Sequence, residues 1–199
     1  MIPNFEASGV LPPFLGANPT KSAEQAPYKV SLDEFVEHFA TSKERVNILE
    51  GFLNFRIQLK LKGITQGFQW LDGSFVEDVE SVRGRPPKDI DIVTFASRPY
   101  GLDDIGWRNF ILNISLFFDA NQSKAKYKCD HYYVDLQINP IALVSQTRYW
   151  FGLFSHQRAT SLWKGMLEVE LADDEKPILS KLLSGGSVSY THLTLPTKA

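Results

Sequence analysis

Between Ser31 and Gly63 the apolar positions recur at helical spacing. Ser31-x-x-Glu34 has the form of a capping box that opens a short helix, and Thr41-x-x-Glu44 repeats it before a longer one. In that longer segment Val46, Leu49, Phe52, Leu53, Phe55, Ile57 and Leu59 make a broad apolar face, while Lys60, Lys62 and Gly63 suit a helix C-terminus. From Gly67 the pattern changes to that of strands. Gly67 to Leu71 predicts a strand running into Asp72-Gly73-Ser74, Glu77 to Lys88 a polar loop, and Asp89 to Phe95 a second strand. Asp103 or Asp104 caps a predicted helix from Ile105 to Phe118, and His131 to Ile138 reads as a third strand with Asp135 near its end. Farther on, Ile141 to Phe154 is apolar enough for a helix or buried segment, Trp163 to Leu171 alternates like a strand, and Asp173 or Asp174 opens a last helix through Leu183. This order implies an α+β (mixed α/β) domain with a small sheet flanked by helices.

The flanks read differently. Residues 1–30 hold five of the eleven prolines, Pro3, Pro12, Pro13, Pro19 and Pro27, which remove backbone donors and fix φ. They predict an extended Pro-rich arm that drapes its apolar Phe5, Val10, Leu11, Phe14 and Leu15 over a single domain of residues 31–187. Val188 to Ala199 looks like the translation of a transposon-end adapter used in preparing sequencing libraries, so 188–199 is expected to be a disordered artefact tail and carries no weight for fold or function.

Composition narrows the class. With 199 residues, 43% apolar and 22% charged, one compact domain is expected. No apolar run is long enough for a membrane span and the start lacks signal-peptide regions, which predicts a soluble, cytoplasmic protein without membrane partners. The single Cys129 has no second cysteine for a disulfide or zinc pair and reads as a buried small residue. A formal net charge of −2 argues against extended duplex nucleic-acid binding.

The chemistry concentrates in three places. Gly73-Ser74 after a strand combines a residue that lets phosphate approach the backbone with a hydroxyl donor. Asp89 and Asp91 alternate with Ile90 and Ile92, which places both carboxylates on one strand face, where they repel unless a cation lies between them. Asp135, between Val134 and Leu136, is the candidate third carboxylate. Trp70-Leu71-Asp72-Gly73-Ser74, Asp89-Ile90-Asp91-Ile92 and Tyr133-Val134-Asp135-Leu136 together resemble the DNA polymerase β-like nucleotidyltransferase superfamily over about Thr65 to Ile138. More narrowly, Leu11-Pro12-Pro13, the two leading helices, Leu71 to Phe75 and Pro87 to Asp91 resemble a group of small uncharacterised bacterial members of that superfamily.

The resemblance implies a nucleotidyltransferase fold, with Asp89 and Asp91 as ligands of two Mg²⁺ (or Mn²⁺) ions, Asp135 as a catalytic-metal ligand and candidate base, and Gly73 and Ser74 as contacts of a nucleoside triphosphate. The expected activity moves a nucleotidyl group from the triphosphate to an acceptor hydroxyl on a protein, RNA or small molecule and releases pyrophosphate. The fourteen residues between Ser74 and Asp89 are a longer spacing than usual. Arg83, Arg85 and Lys88 are candidate phosphate contacts beside the aspartates, and Arg158 is another after the aromatic run Tyr149-Trp150-Phe151 and Phe154. Lys124, Lys126 and Lys128 read as a charged strand edge or loop, and His38 and His131 as structural. No Walker-type phosphate loop, zinc set or nucleophile elbow is present. The alternative is a catalytically silent nucleotide-binding or interaction module, of toxin–antitoxin or defence character, that meets a protein partner through its Pro-rich arm.

Overall fold

Ser31 caps the first helix as its sequence predicts. In the computed structural model, which describes residues 1–158 and 160–185, its hydroxyl accepts a hydrogen bond from the Glu34 amide at 3.1 Å, and helix α1 runs Leu32–Phe39. The Glu34 carboxylate does not close the box. It turns to the arm and accepts from the Ile2 amide at 2.9 Å.

Helix α2 spans Lys43–Leu61, and its cap is Ser42, one residue past the predicted Thr41; Ser42 accepts from the Arg45 amide at 3.2 Å. Thr41 is taken up in the preceding turn, where its amide donates to Phe39 O. Ser42→Ala is therefore expected to cost about 1 kcal/mol and Thr41→Ala only a few tenths, read from urea unfolding midpoints. Equal losses would return the cap to Thr41. Gly63, at φ +88°, ends the helix where a left-handed residue is needed.

The sheet has five strands, β1 (Tyr28–Lys29), β2 (Gly67–Asp72), β3 (Ile90–Ala96), β4 (Cys129–Asp135) and β5 (Leu167–Glu170), in the spatial order β1-β5-β2-β3-β4. β2 is antiparallel to both neighbours, while β3 and β4 are parallel, as are β1 and β5. The expected α+β class with a small mixed sheet is what the chain forms.

Between the strands lie α3 (Val79–Arg83), α4 (Asp104–Asn113), α5 (Ala120–Tyr127) and α6 (Pro140–Phe154), and α7 (Glu175–Ser184) follows β5. A 3₁₀ turn over Gly73–Val76 follows β2, and the segment Glu77 to Lys88, expected as a polar loop, contains α3. Asp103 caps α4, which stops at Asn113, earlier than predicted. The lysine-rich stretch is α5, with Asp119 as its cap and Lys128 turning left-handed at φ 58°. Alternating lysines suggested a two-residue period, but the buried positions, Ser123 and Tyr127, are four apart, which is one helical turn. The predicted strand from Trp163 shrinks to Leu167–Glu170.

Period-two alternation divides the sheet into two faces. Leu71, Ile90, Ile92 and Cys129 pack with α1, α2 and α7 in the main core, which also takes Leu11 of the arm. Trp70, Val93, Phe95 and Val134 face the other way, against Phe154 of α6. The arm is fastened by backbone pairs, since the Gly165 amide donates to Leu11 O and the Asp78 amide to Gly9 O, each at 2.8 Å, and it ends in edge strand β1. Val10 and Leu11 are fully buried, while Leu15 stays exposed. The 188–199 tail lies outside the described residues.

Candidate functional site

Gly73 begins the site. It turns out of β2 at φ +80°, and a Cβ there would come within 1.6 Å of Asp91 Oδ2. Only glycine allows both that conformation and that approach, so the Gly73-Ser74 turn and the Asp91 carboxylate fit directly against each other. Arg45 fixes the turn from behind, donating to Phe75 O at 2.6 Å and Glu77 O at 2.7 Å while its fork pairs with Glu80.

The register then aligns carboxylates. Asp72 pairs with Asp91 across the antiparallel β2–β3 ladder, and Asp91 pairs with Asp130 across the parallel β3–β4 ladder. Directly paired residues point to the same side, so three aspartates form one row on the face opposite the main core, at strand spacings of about 4.8 Å. Asp89, two residues before Asp91, joins that face. A cleft of about 410 Å³ opens over the row, and Gly73, Ser74, Asp89, Asp91, Arg83, Arg85 and Arg158 line it together with Asp72, Glu77, Lys124, Asp130 and Lys164.

Asp135 is not part of this site. It pairs with Ala96, five residues along from Asp91, which is about 16 Å at strand rise. It also has the parity of Cys129, His131 and Tyr133, so it points to the opposite face. There its carboxylate accepts from Arg98 Nε at 2.7 Å. The acidic residue that reaches the pair is Asp130, which shares the parity of Tyr132 and Val134. The alternation in Asp130-His131-Tyr132-Tyr133-Val134 carried that signal, but the register that selects Asp130 depends on how long the crossover from β3 is. Lys88 is exposed and does not line the cleft, being on the Ile90 side of the alternation. Arg83 lines the cleft with its guanidinium engaged by Glu77 at 2.9 Å.

Two lysines oppose the acids. Lys164, almost fully buried, lies 2.9 Å from both Asp72 Oδ1 and Glu77 Oε1. The Asp72 contact is an ion pair without an aligned hydrogen bond, so that oxygen has no hydrogen-bond partner. Gln157 also donates to Glu77, at 3.0 Å. Lys124 Nζ bridges Asp89 Oδ2 at 2.6 Å and Asp130 Oδ2 at 3.2 Å. Among the described residues Asp91 makes no ion pair. Burial, reinforced by the charges of Asp130 and Asp89, pushes its pKa up to about 6. Burial likewise lifts Asp72 to about 7 against the pull of Lys164. The far wall is aromatic: Tyr132 and Trp150 lie 4.5 Å apart between ring centroids, with Phe154 beyond.

Hard oxygen donors of this kind suit Mg²⁺ or Mn²⁺. Asp130 Oδ1 is buried without a hydrogen-bond partner, and the missing Cβ of Gly73 lets the Asp91 carboxylate reach the turn. The residues present therefore fit a divalent cation held by Asp89, Asp91 and Asp130. Among the described residues no three His, Cys, Asp or Glu side chains are already gathered as a metal cage.

Fold and cleft together define a mixed α/β protein with a row of carboxylates, bridged by lysines, at one end of its sheet. The chain belongs to DUF6932, a family of unknown function, whose family model matches residues 3–170. That span takes in the arm, the whole cleft and β5. No curated protein and no solved structure matches the chain significantly. Among the described residues no helix is long and apolar enough to cross a membrane.

Proposed function

We propose that this protein is a divalent-metal-dependent nucleotidyltransferase that moves a nucleotidyl group from a nucleoside triphosphate to an acceptor hydroxyl and releases pyrophosphate. The observation that supports this reading is the placement of Asp91 and Asp130 in one register row, with Asp89 on the same face and the Gly73-Ser74 turn against Asp91. A bound metal would supply charge neutralisation of the phosphates and of the reacting oxygens. Asp89, Asp91 and Asp130 would hold it. The Gly73-Ser74 turn presents backbone N–H groups and a hydroxyl to phosphate oxygens, Arg85 and Arg158 add cationic donors at the rim, and Tyr132 and Trp150 offer a ring surface to a base. Substrate orientation and partial exclusion of water by the Leu153, Phe154, His156, Gln157 and Arg158 side of the cleft are the chain's own contributions.

The test is pyrophosphate release from each of the four ribonucleoside triphosphates with Mg²⁺, host lysate supplying acceptors. Asp130→Asn is expected to abolish release. Asp135→Asn should keep it and lose stability instead, since its ion pair with Arg98 is on the other face. Release that survives Asp130→Asn and disappears with Asp135→Asn would overturn the site.

A second reading, nucleotide binding without turnover, is favoured by one feature: the ammonium of Lys124 already bridges two of the three carboxylates. Nucleotide binding with no release under any metal would establish it.

A further inference from the structure

Lys124 lies on α5, whose position is set by groups other than the lysine. Ser123 Oγ donates to Cys129 O at 2.9 Å, and Tyr127 is buried against Phe55 and Phe117. The Lys124 side chain itself is about half exposed, on a flexible four-carbon stem. Its Nζ contacts one oxygen from the approach to β3 and one from β4, two chain segments whose carboxylates repel each other across Asp91. The other cleft lysine, Lys164, is held by Asp72 and Glu77.

We propose that Lys124 is an internal cation that holds Asp89 and Asp130 together in the resting protein and leaves when a divalent cation binds, so that ammonium and metal exclude each other. This rests on the reading of the cleft as a divalent-cation site. Lys124 engages two of the three carboxylates, Asp91 makes no ion pair among the described residues, and one Asp130 oxygen has no hydrogen-bond partner. A divalent ion brings twice the charge and can take all three carboxylates, but it needs the oxygens Lys124 engages. Because α5 is anchored through Ser123 and Tyr127, the lysine can swing to solvent without the helix moving. The exchange makes metal affinity depend on a residue that is not itself a metal ligand.

Lys124→Met removes the charge and keeps most of the stem. Titrated with Mn²⁺ and followed by the electron paramagnetic resonance of the free ion, it should bind about tenfold more tightly than wild type. Lys126→Met removes the same charge two residues along α5, where the lysine lies over Tyr127, and should stay within about twofold. In the unmutated protein, saturating Mn²⁺ should raise the rate at which an amine-acylating reagent modifies Lys124 severalfold, read by mass spectrometry. Unchanged labelling, or a folded Lys124→Met that binds Mn²⁺ no more tightly than wild type, overturns the proposal. If wild type binds Mn²⁺ and Asp91→Asn does not, such a result removes the lysine proposal alone. If neither wild type nor Lys124→Met binds Mn²⁺, the metal reading falls with it.

Discussion

Replacing Asp91 with asparagine is expected to abolish turnover and raise the stability of the protein at the same time. Asp91 lies between Asp89 and Asp130 with no cation of its own among the described residues, and its pKa is lifted from 3.8 to about 6 by burial and by those neighbours. A carboxyl whose pKa is higher folded than unfolded binds its proton more tightly in the native state. Its stabilising contribution is complete below pH 3.8 and is lost as pH rises through 6, so at pH 7.5 the ionised form is a net cost. A shift of this size corresponds to about 1–3 kcal/mol after allowing for local relaxation. Asparagine keeps the shape and discards the charge. Thermal and urea unfolding at pH 7.5 should show the gain, which should fall to about half by pH 5 and vanish only below about pH 3.8. Saturating Mn²⁺ should stabilise wild type but not the variant, while pyrophosphate release falls by roughly a hundredfold or more. An Asp91→Asn protein that is less stable at pH 7.5 would mean that the carboxylate makes favourable contacts, and the strained-site account would be wrong. Gain of stability on loss of a catalytic charge is the ordinary cost of holding like charges together for chemistry.

The largest loss of stability is expected at Arg56, far from the cleft. Arg56 is fully buried on α2, with its Nε 2.9 Å from Glu175 Oε1, one Nη donating to Gln69 Oε1 at 2.6 Å and the other to Glu170 O at 2.7 Å. From Gln69 the network continues under the sheet. Gln69 Nε2 donates to Thr94 Oγ1 at 2.9 Å, Thr94 lies 2.8 Å from His131 Nε2, and His131 Nδ1 is 2.6 Å from Phe117 O. With His131 held neutral, its pKa down to about 4 by burial, one assignment satisfies every member: Nδ1–H donates to Phe117 O, and Nε2 accepts from the Thr94 hydroxyl. Arg56→Ala would leave Gln69 Oε1 without its donor and Glu175 with Lys60 alone, at 2.8 Å. Breaking a buried pair from one side costs about 3–5 kcal/mol, so much of this protein should be unfolded at moderate urea. The double change Arg56→Met with Glu175→Leu should recover more than half of the loss, because no buried charge then lacks its partner. A double variant as unstable as Arg56→Ala would place the loss in packing and not in charge.

What local pattern reveals of the cleft and what it hides turn on the same physical fact. Gly73-Ser74 and Asp89-x-Asp91 were legible because each is local: a strand's alternation alone puts Asp89 and Asp91 on one face, and a glycine at a strand end signals a turn. Asp135, between Val134 and Leu136, has the local pattern of a strand aspartate, whereas Asp130, between Cys129 and His131, lacks it. What separates them is parity relative to Asp91, and parity across two strands is set by register, which a one-residue slip would reverse. The lysines are hidden from local pattern for a related reason. Lys124 reads as surface charge until α5 places it over Asp89 and Asp130, and nothing beside Lys164 in the sequence announces its burial between Asp72 and Glu77.

The sequence by itself determined the helix start at Ser31, narrowed two others to Asp103 or Asp104 and to Asp173 or Asp174, and placed the strands flanking the Gly73-Ser74 segment and the mixed α/β class, because capping, alternation and turn chemistry act within a few residues. Only the tertiary structure decided which third carboxylate joins the row, which lysines answer it and that Arg56 and His131 belong to one buried network. Those outcomes depend on contacts between residues as much as 119 positions apart, as for Arg56 and Glu175, and on a strand register that no local pattern specifies.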